Sequence, residues 1–304
     1  MSRVFVILNA GSGKGHDAGL VQQVHDLFVS AGMPAEVKLA DGGDAITAQI
    51  AHAIALDADI IVAGGGDGTV STVAAALVGG DIALGILPLG TLNHFAKDLR
   101  LPLELDAAVR QIAAGLKLRI DVGEVNGRVF INNSSLGLYP DIVRARELQQ
   151  SRFGRGKWLA FFWATLAAFR SYPFLSVSLI VQGIIHRRRT PFVFIGNNEY
   201  CIEGFALGGR ACLTAGHLSL YTAQRPGRMR LLQFGLRALI GRLKQERDFD
   251  LLMSTELVVE SRHQHLRVAT DGEVTLMQTP LRYRLRPASL TVLAPLSSPP
   301  EPGN

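Results

Sequence analysis

Over residues 4–120 the chain alternates continuous apolar runs with segments that carry apolar residues at helical spacing. "RVFVIL" stops at "NAGSGKG", which predicts a buried strand entering a glycine turn. "LVQQVHDLFVSAG" places Val21, Val24, Leu27 and Phe28 on one helical face and ends at Gly32. "AEVKLA" reads as a second strand, and "DAITAQIAHAIALDA" as a helix with Asp44 as its cap. "DIIVAGGGDGT" is a strand running into a turn, and a helix beginning near Thr69 continues through "STVAAALVGG". "IALGILPLGT" is a further buried strand, followed by "LNHFAKDL". Fully apolar strands alternating with helices predict an α/β domain with a parallel sheet and helices on both faces. In such a sheet ligands sit beyond the carboxyl ends of the strands, where the three glycine turns fall.

Beyond Asp121–Gly127 the pattern changes to strand-like runs: "FLSVSLIVQG", "RTPFVFIGNN", "GHLSLYTA", "STELVVES", "HLRVATDGEVT" and "LRYRLRPASLTVL". Helical segments around 157–170 and 228–247 interrupt them, and "HRRRT" at 186–190 reads as an exposed turn. The expected organisation is an α/β nucleotide domain over 1–124, an antiparallel β-sandwich domain over 125–295 and a disordered Pro/Gly/Ser-rich tail over 296–304.

Composition narrows the classes. Hydrophobic residues make up 48% and charged residues 19% of 304, which excludes a disordered chain. The net charge of +5 favours anionic partners: phosphates, nucleic acid or an anionic membrane face. Cys201 and Cys212 are too few for a disulfide framework, so a reducing compartment is expected. The run Val4–Leu8 is too short for a signal-peptide core. "WLAFFWATLAAF" falls short of the roughly 20 residues that a spanning helix needs. The expected location is cytoplasmic.

The glycine turns match neither common nucleotide fingerprint. G-x-G-x-x-G fails where Thr69 follows Gly64 and Gly66, and where His16 follows Gly11 and Gly13. A P-loop fails because Gly15 follows Lys14 and Leu8 occupies the first glycine position. Their chemistry still suits phosphate. Glycines without a Cβ let backbone N–H groups cradle an anion, and a helix N-terminus aimed at the same space favours negative charge. A carboxylate there, Asp67, makes sense beside a metal ion or a substrate hydroxyl; an isolated "GDG" taken alone favours a tight strand-to-helix turn with Asp67 as a helix cap.

"GGDGTVSTVAAAL" followed by "GILPLGTLNHFAKDL" resembles the catalytic domain of the diacylglycerol kinase and sphingosine kinase superfamily, in the form found in bacterial soluble lipid kinases. "NAGSGKG", "DGGDA", "FINNSSLGL", "FIGNNEY" and "TDGEV" match further landmarks in order, so the likeness spans most of 3–295. It implies ATP- and magnesium-dependent phosphorylation of a lipid hydroxyl, most naturally on diacylglycerol or a related glycerolipid. Asn9, Ser12 and Gly13 would then touch nucleotide, Gly65, Gly66, Asp67, Gly68 and Thr69 would hold phosphates, and Thr91 and Asn93 would close the pocket. Lys14 is a further cation placed for a phosphate. Glu273 would accept the hydroxyl proton, with Asp271 and Asp67 near the metal. In a regular strand Asp271 and Glu273 would point to one face, but the sequence taken alone favours an exposed hairpin turn at "DGE".

The chain departs from that pattern at Ala215, where the resemblance implies an aspartate holding a structural magnesium, at Leu39, and in "NEYCIEGF". Leu232, Leu236, Leu239 and Leu243 form a stripe among Arg228, Arg230, Arg237, Arg242 and Lys244, and Trp158, Phe161, Phe162 and Trp163 an apolar lip. These segments either rest on an anionic membrane peripherally or pack on the β-domain. Rival readings are phosphorylation of a soluble dinucleotide by an NAD kinase-like enzyme, and a non-catalytic nucleotide- or lipid-binding regulator. No aromatic–basic platform for nucleic acid is visible, and a homodimer is allowed.

Overall fold

A computed structural model describes residues 2–12, 18–137, 174–203, 206–210, 212–223 and 249–295. The helices expected around 157–170 and 228–247, the tail at 296–304, Gly13 and Lys14 lie outside the described residues.

The chain divides into two compact units: residues through Val122 together with those from Arg286 onward, and Gly123–Leu285. Residues 286–295, expected in the β-rich domain, thus join the first unit. The last strand explains this. Val292 pairs in parallel with Leu84, the Ala294 N–H donates to the Leu116 carbonyl at 3.1 Å, and Leu293 lies in the first unit's core.

In the first unit, strands β1 (Val4–Asn9), β2 (Ala35–Ala40), β3 (Ile60–Gly65) and β4 (Ala83–Pro88) are parallel, in the order β2-β1-β3-β4. The helices are α1 (Ala18–Ser30), α2 (Gly42–Ala55), α3 (Asp67–Leu77), α4 (His94–Asp98) and α5 (Leu105–Ala113). Val4, Val6 and Leu8 of β1 share a core with Val24 and Phe28 of α1 and Val109 and Ile112 of α5. The alternate strand residues Phe5, Ile7, Ile61, Ala63, Leu84 and Ile86 are also buried, and α2 packs on α3. Burial of both sheet faces is why these strands read as continuous apolar runs. The strand order reverses between β1 and β3, and there the carboxyl ends of a doubly wound sheet open a crevice. Helix α3 begins at Asp67, two residues before the expected start. Asp41, not Asp44, precedes α2, with no side-chain capping bond.

The second unit is antiparallel. After β5 (Lys117–Val125) come β6 (Arg128–Phe130), β7 (Asn133–Gly137), β8 (Leu175–Val181), β9 (Ile184–Thr190), β10 (Phe192–Asn197), β11 (Tyr200–Glu203), β12 (Ala206–Arg210), β13 (Leu218–Ala223), β14 (Phe249–Ser254), β15 (Glu256–Ser261), β16 (His265–Thr270), β17 (Glu273–Gln278) and β18 (Leu281–Leu293). One sheet runs β14-β13-β10-β7-β16-β17, and a second layer runs β18-β15-β8-β9. Leu136, Ile195, Leu220 and Val268 from the first interdigitate with Leu179, Val259, Leu281 and Tyr283 from the second, the arrangement of a β-sandwich. Burial pushes the Tyr283 hydroxyl's pKa up, partly countered by its hydrogen bond with Ser134.

Three two-residue turns, Asn126-Gly127, Gln182-Gly183 and Asp271-Gly272, have positive φ at both positions, as type I′ hairpins require. The last is the hairpin turn that "DGE" favours, not the regular strand weighed beside it: Asp271 sits in the turn and Glu273 opens β17. "HRRRT" is likewise no turn but most of β9, paired with β8 alone at a sheet edge.

Candidate functional site

In the first unit, register sets Leu8 of β1 beside Gly64, and Gly65 beside Pro88 of β4, so the three strand ends meet at one edge. Asn9 ends β1. Its Nδ2 donates to Thr69 Oγ1 at 2.8 Å, and its Oδ1 accepts the Gly11 N–H at 3.0 Å. Ser12 is buried, and its N–H donates to the Asn9 carbonyl. A Cβ on Gly65 would meet Thr69 Oγ1 at 2.5 Å and Ser12 Oγ at 3.0 Å, so only glycine lets these two hydroxyl residues close on the strand end.

Gly66 precedes α3 with no side-chain capping bond. The N–H groups of the first helical turn therefore face outward, a site suited to an anion. Gly68 in that turn is exposed, with open space where a Cβ would stand. On the facing loop a Cβ at Gly90 would collide with the Cα of Gly66, so the two backbones touch. Asn93 holds this loop: left-handed (φ 49) and buried, it accepts the Gly90 N–H at 3.0 Å and donates to the carbonyls of Pro88 and Gly90 at 3.0 and 2.9 Å. Asp67 is half-buried and one carboxylate oxygen accepts the Phe95 N–H at 3.2 Å. It is not the cap of its own helix but ties α3 to α4.

Asn9, Ser12, Gly65, Gly66 and Thr69 thus form one connected cradle, and Asn93 shapes the adjoining loop rather than reaching out of it. Thr91 is exposed on that loop. Gly64 and Gly90 belong to the same packing: a Cβ on Gly64 would strike the Leu8 side chain. The uncapped helix start and Cβ-free backbone fit a polyphosphate. One partly free carboxylate, Asp67, fits a magnesium ion held mainly by phosphates.

In the second unit the Asp271 carboxylate accepts three backbone N–H bonds, from Ile131 and Asn132 at 2.8 Å and Asn133 at 3.1 Å. These residues lie about 140 positions earlier, and the Asp271 N–H answers by donating to the Asn133 carbonyl. Three of the roughly four lone-pair positions of that carboxylate are thereby used. Its place is to fix the turn carrying Glu273, and it is poorly suited as a metal ligand. Glu273 is exposed and pairs with Arg128 at 2.6 Å.

Beneath the turn, Arg210 is buried. Its guanidinium donates to the carbonyls of Ile131 and Asn197 at 2.6 and 3.2 Å and to Asn132 Oδ1 at 2.8 Å, and it lies over the Tyr200 ring. Neither Arg210 nor Arg128 has a local signal in the sequence. "FINN" and "IGNN" did mark the asparagines that meet Arg210.

The loop at Ala215 does not fit a structural magnesium. The methyl side chain of Ala215 offers no oxygen where the resemblance implies a carboxylate, and Asn198 Oδ1 is taken by the Ala215 N–H at 3.0 Å. Among the described residues no group of three or more His, Cys, Asp or Glu could hold a metal ion.

Two family profiles match successive stretches of the chain. Residues 3–125 match the family profile described as "Diacylglycerol kinase catalytic domain", and 140–294 match "YegS C-terminal NAD kinase beta sandwich-like domain". A probable lipid kinase YegS-like of Pseudomonas putida is 30% identical over 82% of each chain. One from Klebsiella pneumoniae is 38% identical over 43% of this chain, and that match spans 44% of the relative's length. A solved structure of a putative diacylglycerol kinase from Bacillus anthracis shares the fold, with a TM-score of 0.75 at 21% identity, covering 98% of this chain and 99% of that one.

Proposed function

We propose that this chain, which belongs to the family joining a diacylglycerol kinase catalytic domain to a YegS-type C-terminal domain, transfers the γ-phosphate of ATP to the hydroxyl of a diacylglycerol or related glycerolipid. The observation that carries this reading is the Gly65–Thr69 cradle at the carboxyl edge of the parallel sheet, with its uncapped helix start and Cβ-free backbone.

In this reading the N–H groups around Gly66 and Gly68 hold the phosphates, while Asn9, Ser12 and Thr69 fix the cradle's shape. Gly13 and Lys14, which follow Ser12 in the sequence, contact the nucleotide in this proposal. Thr91 closes the pocket from the loop that Asn93 braces. Asp67 holds magnesium through its partly free carboxylate. A magnesium ion held there with ATP would supply positive charge to offset that of the phosphoryl group. Glu273 takes the proton from the lipid hydroxyl as that oxygen bonds to phosphorus and the bond to the ADP oxygen breaks. Asp271 keeps the turn, and so Glu273, in place.

Contact with the membrane is peripheral in this proposal. Separately, no described helix is long and apolar enough to cross a bilayer. The description of the C-terminal profile as NAD kinase-like keeps a soluble dinucleotide as a second acceptor to be tried. The test is transfer of labelled γ-phosphate from ATP and magnesium to dispersed diacylglycerol, monoacylglycerol, phosphatidylglycerol and a sphingoid base, with NAD alongside. Label in a glycerolipid is expected. Label in NAD alone would replace the lipid reading, and ATP binding without label in any acceptor would favour a regulator.

A further inference from the structure

Strand β8 contributes Val177, Leu179 and Val181 to the sandwich core, but the hairpin tip and the outer strand β9 have no part in the cradle or the Asp271 turn, and their surface is unusual. Just after the Gln182-Gly183 turn stand Ile184 and Ile185, which are 60% and 59% exposed. Scattered single apolar residues are ordinary on a protein surface, whereas two adjacent β-branched residues at a hairpin tip are an apolar point. Directly behind them, His186, Arg187, Arg188 and Arg189 follow along the edge strand.

Alternation along β9 sorts the cations. Arg187 and Arg189 share the face of Ile185 and are exposed. Arg189 sits with its guanidinium 5.4 Å from the Phe174 ring centroid, which holds the side chain in place while the charge meets solvent. Arg188 is on the opposite face, 3.7 Å from Asp250, and His186 is half-buried there. Exposed Arg262, which continues from the end of β15, adds to the positive field, and Glu260 in the row of Arg187 subtracts from it. Arginines on an edge strand also discourage pairing with another chain, but that role gives no reason for an exposed isoleucine pair at the tip.

We propose that this hairpin is a docking point for an anionic lipid surface: Ile184 and Ile185 enter the boundary between headgroups and acyl chains, and Arg187 and Arg189 lie at the level of the lipid phosphates. The order along the hairpin, apolar tip and then cationic collar, matches the order of layers from the acyl boundary outward to the lipid phosphates. The proposal rests on the lipid-kinase reading for why a membrane is the partner, and deepens it by naming the surface charge the enzyme works on.

The test is flotation of the full chain with vesicles, without nucleotide, so that it does not depend on turnover. The wild type is expected to float with phosphatidylcholine vesicles containing phosphatidylglycerol and to stay behind with phosphatidylcholine alone. Arg187→Glu with Arg189→Glu is expected to weaken partitioning at least about twentyfold, from roughly fivefold for each charge removed. Ile184→Ser with Ile185→Ser is expected to weaken it about tenfold or more. Since these side chains are exposed, circular dichroism and Tm stay at the wild-type values, and so does phosphoryl transfer to detergent-dispersed lipid. The proposal is overturned if the wild type ignores anionic vesicles, if it binds neutral ones equally, or if either variant floats like the wild type. It is also overturned if the isoleucine variant instead changes the oligomeric state in light scattering, which would make the hairpin a contact between copies. Loss of transfer in micelles by the wild type would defeat the kinase reading and leave the flotation result standing.

Discussion

Asp271→Ala removes the acceptor of three backbone N–H groups at once. The amides of Ile131, Asn132 and Asn133 are part-buried, so each one left without a partner costs about 1 kcal/mol, the low end for an unsatisfied donor. Asp271 is also left-handed, with φ 49, a conformation that costs alanine about 1 kcal/mol more than aspartate or asparagine. Together these give about 4 kcal/mol, or roughly a thousandfold in a local opening equilibrium. Asp271→Asn keeps the backbone preference and one acceptor oxygen, so about 2 kcal/mol is expected. The assay is native-state hydrogen exchange at the three amides, with urea unfolding alongside. Exchange should accelerate most for alanine and by an intermediate factor for asparagine. An alanine variant within about 1 kcal/mol of the wild type would refute the positioning role. Intact protection with lost turnover would place the carboxylate in the chemistry instead.

Other substitutions separate fold from chemistry. Gly90→Ala drives a Cβ into the Gly66 backbone and should lower stability by about 2–3 kcal/mol, read by urea unfolding. Gly68→Ala enters open space on a helix, so its Tm should hold or rise while KM for ATP increases. Glu273→Gln should cut kcat by about a hundredfold or more, and, since Glu273 is 72% exposed, shift stability by less than about 1 kcal/mol. Tyr283 has its pKa raised by burial, so its contribution is complete below the ordinary value of 10.0 and lost as pH climbs toward the raised folded value. Tyr283→Phe should therefore flatten the alkaline fall in Tm, at a cost near neutrality of about 1 kcal/mol for the lost Ser134 bond.

The parallel half of the fold was legible because burial on both faces leaves an unmistakable signature: "RVFVIL", "DIIVAGG" and "IALGILP" each carry no polar interruption inside the strand. The cradle was legible too, since a cluster of glycines at strand ends has few other physical uses. Contacts set by distant parts of the chain were not. Nothing local in "TDGEV" says that Asp271 will hold a backbone 140 positions away, although the Asp-Gly pair did favour the turn over a regular strand. The run "HRRRT" carries too much charge to read as a strand, yet an edge position with one partner tolerates it. Residues 286–295 continue an antiparallel strand in sequence and join the first unit through Val292 and Leu293, a choice made by packing.

The proposed phosphoryl transfer to a lipid hydroxyl assigns Asp67 to magnesium and Glu273 to the acceptor's proton. The most direct measurement follows labelled γ-phosphate into dispersed diacylglycerol with the wild type, Asp67→Asn and Glu273→Gln, each shown folded by its unfolding curve. The account predicts a labelled phospholipid product from the wild type and its near-complete loss in both variants. Undiminished product from folded Glu273→Gln and Asp67→Asn, or label in NAD and none in lipid, would contradict it.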